Sequence, residues 1–231
     1  MIVYDLYCGL KGWSAPFEKA GHNVVSVDID PSFHPTVVAD VAKLDARRLI
    51  YEFGQPDVVL QSPPCTFHSV AAIYRNWKMG LNGYLEPRRP EAERANDLIK
   101  AGIQLALDLK PKWGWLENPR AALRRMPFMQ RYRRATVTYC QYGDTSMKPT
   151  DLWAVPAWPS AWTPKPPCSN GDPCHVRAPR GSKTPGSTQG KDGAAARAEI
   201  PYGLADEVRL ACEAALDGAQ IPAPTTLEAF C

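Results

Sequence analysis

Nowhere in the 231 residues is there a run of about 18 uncharged apolar residues, so no membrane-spanning helix is expected. The opening Met1-Ile2-Val3-Tyr4-Asp5 lacks a basic stretch leading into an apolar one, so no secretory signal is read there. Histidine is scarce, with 4 residues, and the 7 cysteines are odd in number and mostly scattered. That pattern argues against a disulfide framework and for reduced thiols in a cytoplasm. Neither sign of charge is in excess: 27 Lys and Arg stand against 24 Asp and Glu, a net +3, which neither demands nor excludes a nucleic-acid partner. There is no internal repeat. What remains is ordinary: 45% hydrophobic and 22% charged residues exclude wholesale disorder. A chain of this length buries roughly 70% of its unfolded surface, so its core needs no metal or disulfide.

The first two thirds alternate strand and helix signals. Strands are expected at residues 2–7, 23–28, 36–39, 57–61, 113–116 and 135–140. The Asp57–Gln61 run is nearly all apolar, as in a strand buried on both faces. A first helix follows Gly9, with Ser14 able to cap it, Pro16 tolerated in its first turn and Gly21 suited to its end. The clearest helix runs from Glu91 to Leu109, where Leu98, Gly102, Leu105 and Leu109 share a stripe flanked by Ile99, Ile103 and Ala106. Such alternation indicates an α/β fold with a mostly parallel sheet. Composition changes near Pro149: eight prolines fall between 155 and 185 and five glycines between 171 and 193. A long loop or small irregular region without a core is expected there. Helical spacing returns over 204–216, and 219–231 reads as a tail.

Three segments carry chemistry. In D-L-Y-C-G-L-K-G-W-S, residues 5–14, Gly9 and Gly12 lie between a strand and a helix, where a ligand can approach bare backbone. Asp28 closes the next strand, where a carboxylate can accept from ribose hydroxyls. The alternative is a plain glycine turn without a ligand. In Q-S-P-P-C-T-F-H-S, residues 61–69, Cys65 follows a buried strand and two stiffening prolines. It is either a nucleophile at the ligand-binding edge of the sheet or a buried structural thiol. In W-G-W-L-E-N-P, residues 113–119, Glu117 and Asn118 end another apolar strand, which would turn a carboxylate toward the same edge. The other reading of Glu117 is a solvated strand-end acid.

Together these segments resemble the DNA cytosine carbon-5 methyltransferase family. The opening matches that family's D-L-F-x-G-x-G-G loop. Ala20-Gly21-His22 and Val27-Asp28-Ile29-Asp30 match the family's next positions, and Ala39-Asp40-Val41 stands where the family has Gly-Asp-Ile. Pro63-Pro64-Cys65 with Phe67 and Ser69 matches P-P-C-x-x-F-S, apart from a spacing shift at His68, and Glu117-Asn118-Pro119 matches E-N-V with one change. The matches keep their order over about two thirds of the chain. Leu10-Lys11 breaks the usual second glycine pair, and neither the basic Q-x-R-x-R motif nor the late G-N motif is present. Residues 142–150 occupy the place of the former, with Lys148 the one basic candidate; only Ile200-Pro201 and the helix after them are similar to the surroundings of the latter.

The resemblance implies a Rossmann-like S-adenosylmethionine-dependent methyltransferase fold with a small, irregular recognition region. Its expected divisions are a catalytic, cofactor-binding domain over 1–154, a reduced recognition region over 155–198, a helix over 199–218 packing back on the catalytic domain, and the tail over 219–231. It implies catalytic roles for Cys65, Glu117, Asn118 and Lys148. It implies cofactor contacts at Asp5, Leu6, Gly9, Gly12, Trp13, Asp28, Ile29, Asp40, Val41 and Pro63. The cofactor would be S-adenosylmethionine and the partner double-stranded DNA, with no membrane involved, the protein a monomer in the cytoplasm of a bacterium or of a phage's host.

Two basic segments suit phosphate contact. Residues 119–134 hold six arginines and no acid, with Arg120, Arg124 and Arg125 foremost; residues 175–191 hold Arg177, Arg180, Lys183 and Lys191 among glycines and serines. An exposed basic segment without a partner is the plainer alternative. So small a recognition region suits a target of about two to four base pairs, since each base needs its own contacts. Cys168, Cys174 and His175 form an incomplete zinc donor set. Cys140 or Asp172 could complete it, but nothing in the sequence indicates either, and loop residues without a metal are expected. Rival readings of the whole chain are an RNA cytosine methyltransferase, an inactive cofactor-holding module that binds nucleic acid, and an ordinary nucleotide-binding protein, which would leave the P-P-C and E-N-P pair unexplained.

Overall fold

The computed structural model describes residues 1–177, 191 and 193–218. Its strands are β1 (Ile2–Leu6), β2 (Asn23–Asp28), β3 (Val37–Val38), β4 (Val58–Gln61), β5 (Trp77–Met79), β6 (Leu85–Pro87), β7 (Trp113–Pro119), β8 (Arg134–Thr138) and β9 (Pro149–Ala154). Its helices are α1 (Ala15–Lys19), α2 (Ala46–Phe53), α3 (Ile73–Asn76), α4 (Pro90–Asp108), α5 (Gly193–Ala198) and α6 (Tyr202–Leu216). Seven strands form one sheet in the order β3-β2-β1-β4-β7-β9-β8, while β5 and β6 make a separate hairpin. All pairings in the large sheet are parallel except those of β9, which runs antiparallel to both β7 and β8. This is the α/β class, with the mostly parallel sheet, that the alternation of segments predicts.

Strand periodicity divides the core in two. Tyr4, Leu6, Val59 and Leu116 face one layer, with Leu49 of α2 and Ile99, Ile103 and Leu105 of α4. Val3, Val58, Leu60 and Trp115 face the other, with Phe17 of α1 and Leu204 and Val208 of α6. A fully buried side chain of this kind contributes about 1.5–3 kcal/mol, so both layers are needed to hold the central strands. α4 starts on Pro90 with Glu91 and Glu93 in its first turn, favourable at the positive end of the helix dipole.

Four expectations need correction. Ser14 does not cap α1; its backbone is already helical and its hydroxyl donates to Asp5 Oδ2 at 2.7 Å. The Pro-rich stretch does contribute core. Trp158 and Trp162 are buried, and Trp162 packs edge-on against Trp115 with ring centroids 5.5 Å apart. Strand β9, hidden in sequence behind Lys148-Pro149, and helix α2 add to the elements expected from the sequence. The helix expected over 204–216 begins earlier, at Tyr202, and docks on α1, where His22 Nε2 lies 2.7 Å from Glu213 Oε1. The 219–231 segment lies outside the described residues, and among those residues no helix is long and apolar enough to cross a membrane.

Candidate active site

The carboxyl ends of β1, β2 and β4 open onto a cleft of about 710 Å³. Its floor is the turn after β1. Gly9 has φ +47, and its N–H donates to Asp28 Oδ2 at 3.0 Å, while Asp28 Oδ1 accepts from Asp30 N at 2.9 Å. One carboxylate thus ties two loops together, and each oxygen keeps a lone pair for a ligand. Gly12 has a packing role as well. A Cβ there would meet the backbone of Ile200 at 3.0 Å, so the absent side chain also admits the chain entering α6.

Of the residues named for cofactor contact, Gly9, Gly12, Trp13, Asp28, Ile29, Asp40 and Val41 line the cleft. Ile29 is 67% exposed, an apolar surface offered at a polar rim. Asp40 accepts from Ala42 N at 3.0 Å and so begins a short turn that brings Val41 inward. Three residues do not line the cleft. Leu6 belongs to the core. Pro63 is buried, and its neighbours Ser62 and Pro64 form the wall instead. Asp5 lies beneath the glycine turn, 1% exposed, with Oδ1 unpartnered, and burial pushes its carboxyl up to about 7. The segment Ala198-Glu199-Ile200 completes the wall, a contribution the sequence signals only through Ile200-Pro201.

Beside this cleft the P-P-C turn carries Cys65, half-buried at the end of β4. Burial pushes its thiol up, the Glu117 charge adds to that, and the charges of Lys148 and Arg197 act in the opposite sense. Glu117, on β7, is buried, and burial raises its carboxyl against the opposing charge of Lys148. Tyr139 O–H donates to Glu117 Oε1 at 2.8 Å. Lys148, on the turn before β9, lies with Nζ 4.3 Å from the Tyr139 ring centre; burial pulls its ammonium down while Glu117 and Cys65 hold it up. The three groups are therefore within one another's fields, and any negative charge that Cys65 or Glu117 carries is supported by Lys148. Tyr139 and Arg197 join the site without a signal in the motifs. Tyr139 reads in sequence as one more residue of an apolar strand, and Arg197 stands in the irregular stretch far from any motif.

Asn118 ties two parts of the site together. It is fully buried and donates from Nδ2 to the Pro63 carbonyl at 3.1 Å, fixing the turn that aims Cys65. His68, which disturbs the motif spacing, is a core histidine: Nε2 lies 2.9 Å from Asn96 Oδ1, and burial lowers its pKa. Among the basic candidates, Arg120, Arg125 and Arg177 are exposed. Arg124 is not free for phosphate. It holds the fully buried Asp151 through two bonds of 2.9 and 2.8 Å and also reaches Thr136. Arg180 and Lys183 lie outside the described residues. The structure brings Cys140 to Cys168, Cys174 and His175, the fourth member that the sequence left open.

No protein-family model matches the chain, and no curated protein matches it. Among solved structures it is similar to a prophage-encoded protein of E. coli described as a DNA modification methyltransferase, at 20% identity and TM-score 0.45, over 67% of this chain and 46% of that one. It is similar to the Entamoeba histolytica methyltransferase EhMeth at 12% identity and TM-score 0.47, over 73% and 57%. It is also similar to Spodoptera frugiperda DNMT2 at 15% identity and TM-score 0.46, over 76% and 57%. The chain spans about half the length of these proteins. At such identities no residue's role carries across, and the chemistry has to be read from this chain's own side chains.

Proposed function

We propose that the chain transfers a methyl group from S-adenosylmethionine to carbon 5 of a cytosine flipped out of double-stranded DNA, through a covalent bond between Cys65 and carbon 6. The observation that carries this reading is the convergence of Cys65, Glu117 and Lys148 at the carboxyl edge of the sheet, next to the glycine-turn cleft. The cleft suits the cofactor's chemistry. Asp28 and Asp40 can accept from hydroxyl and amine groups, Ile29 offers an apolar face to a purine, and Gly9 leaves the turn open. Bound there, S-adenosylmethionine supplies an electrophilic methyl group on a sulfonium.

Carbon 5 of cytosine is a poor nucleophile. Addition of the Cys65 thiolate to carbon 6 makes the ring enamine-like and places electron density on carbon 5. Lys148 supports the thiolate. Burial raises the Glu117 carboxyl toward its protonated form, in which it donates to the ring nitrogen and accepts from the exocyclic amine as charge develops. Tyr139 occupies Oε1, which leaves Oε2 to carry that proton. Carbon 5 would then take the methyl group, the broken methyl–sulfur bond leaving its electron pair on a neutral thioether, and loss of the carbon-5 proton to solvent would expel the Cys65 thiolate and restore the ring. The base is out of reach inside a duplex, so it must leave the stack.

The test is label transfer from methyl-labelled S-adenosylmethionine to unmethylated duplex DNA, with tRNA alongside. The expected product is 5-methylcytosine in DNA at a short site. Cys65→Ala should lower the rate about a thousandfold or more while cofactor binding is kept. Undiminished methylation by that variant would overturn the mechanism. Label in tRNA alone would assign the chain to RNA, and cofactor binding without any label would leave a binding module.

A further inference from the structure

Outside the cleft, one cluster of side chains has no part in the chemistry above. Cys140 sits on the turn after β8, and Cys168, Cys174 and His175 come from the segment beyond Trp162. Their donor atoms all lie within 4.8 Å of one another. Cys140 Sγ is 3.2 Å from Cys168 Sγ and 3.6 Å from Cys174 Sγ. His175 Nδ1 is 3.7 Å from Cys168 Sγ and 3.4 Å from Cys174 Sγ. These cysteines are free thiols, not a disulfide.

Four ligands at the corners of a tetrahedron, with Zn–S about 2.3 Å and Zn–N about 2.0–2.1 Å, stand about 3.5–3.8 Å apart. The observed separations fall close to that range, and the donors are three thiols and an imidazole, the set that selects zinc over harder cations. We propose that Cys140, Cys168, Cys174 and His175 bind one zinc ion in a closed, structural site. With four protein ligands no position is left for water or substrate, so the metal would fasten chain rather than catalyse.

The surroundings are arranged for it. Gln141 Nε2 donates to Cys174 Sγ at 3.5 Å, and the Cys168 N–H donates to Thr138 Oγ1 at 3.1 Å, which orients two of the sulfur ligands. Ligation through Nδ1 places the ring proton on Nε2, so the 3.4 Å approach of Gly171 N–H to that nitrogen opens on binding. The adjacent Cys174-His175 pair departs from the usual ligand spacing. It comes after a turn at Gly171, where φ is +114.

Sequence neighbours define the parts that the ion would fasten. Cys140 is next to Tyr139, which donates to Glu117, and His175 is two residues before the exposed Arg177. The metal would hinge the Pro-rich segment to the turn beside the reactive carboxyl. That segment has little hydrogen-bonded secondary structure over 163–177 and needs another tie.

The test is metal analysis of the full chain purified under reducing conditions from zinc-supplemented cells. One zinc per chain is expected. The double variant Cys168→Ser/Cys174→Ser should lose it, and His175→Cys should retain it by making a four-thiolate site. Cobalt added to the metal-free protein should give the charge-transfer and visible bands of tetrahedral sulfur ligation. Chelation should speed proteolytic cleavage between residues 163 and 177 about tenfold. Absence of zinc together with absence of cobalt bands would overturn the proposal. So would isolation of the reduced-condition protein solely as a Cys140–Cys168 disulfide, or full zinc in the double variant. None of these readouts involves methyl transfer, so they stand or fall apart from the activity.

Discussion

Burial governs the protonation of two carboxyl groups here, with different consequences. Glu117 faces the reactive thiol, whereas Asp5 lies under the glycine turn with Ser14 as its hydrogen-bonding partner. Burial, reinforced by the charges of Glu18 and Asp28, raises Asp5 from 3.8 to about 7, with the Ser14 bond opposing. A folded-state pKa above the unfolded one means that the stabilisation is fully present below about pH 4 and is lost as pH rises through about 7. At about 1.4 kcal/mol per pH unit, raising the pH from about 5 to about 8 should cost roughly 2–3 kcal/mol. Asp5→Asn keeps an acceptor for Ser14 and has nothing to titrate. Denaturant unfolding at the two pH values should show that loss in the parent chain and not in the variant. An equal loss in both would place the titration at another group.

At the level of elements, an arginine that reads as a phosphate contact proves to be a strut. Arg124, in the turn after β7, clamps Asp151 of β9 and Thr136 of β8, tying together the two pairings at the antiparallel end of the sheet. Truncation would leave a fully buried carboxylate whose remaining side-chain partner among the described residues is Thr136, at 2.6 Å. Arg124→Ala should therefore destabilise by about 2–4 kcal/mol, measured as a fall in denaturant midpoint, the figure lying toward the low end because the arginine is itself partly exposed. A neutral result would mean that β9 is held without the clamp. The same strut shows what the sequence could and could not tell. The parallel strands were legible because each is a short apolar run between turn residues, and the cleft's Asp28 because it ends such a run; Asp40 was legible only through the resemblance of Ala39-Asp40-Val41 to a family motif. β9 was not, because its Pro149 start and Asp151 read as loop chemistry; Asp151 is tolerated in the sheet only through Arg124, a partner 27 residues away. The second core layer was hidden for a similar reason: Trp158 and Trp162 stand among prolines, and Trp162 packs on Trp115, a residue far from it in the chain, while Trp158 packs on Trp162.

For the molecule as a whole, a net +3 is too small to draw a polyanion by itself, so any attraction must come from where the charges sit. Arg120, Arg125, Arg131, Arg133 and Arg134 are exposed within one stretch after β7, which begins beside Glu117. If this stretch meets phosphates, log affinity for duplex DNA should fall with log salt by about 0.9 per contact. Arg120→Ala and Arg125→Ala should each reduce that slope by about one, whatever the sequence of the duplex. An unchanged slope in both would move the polymer to another face. The cleft depends on distant parts of the chain too. Its floor is laid down by Tyr7 to Gly12, yet its wall closes with Ala198 to Ile200, wedged against the bare Cα of Gly12. On the ribosome, the first residues of that cleft emerge long before the last. A growing chain that has not yet reached Ala198 has the floor of the cleft without this part of its wall. Completion of the cleft therefore waits on residues nearly two hundred positions after its first, and a product truncated before Ala198 would keep the glycine turn but leave that side of it open.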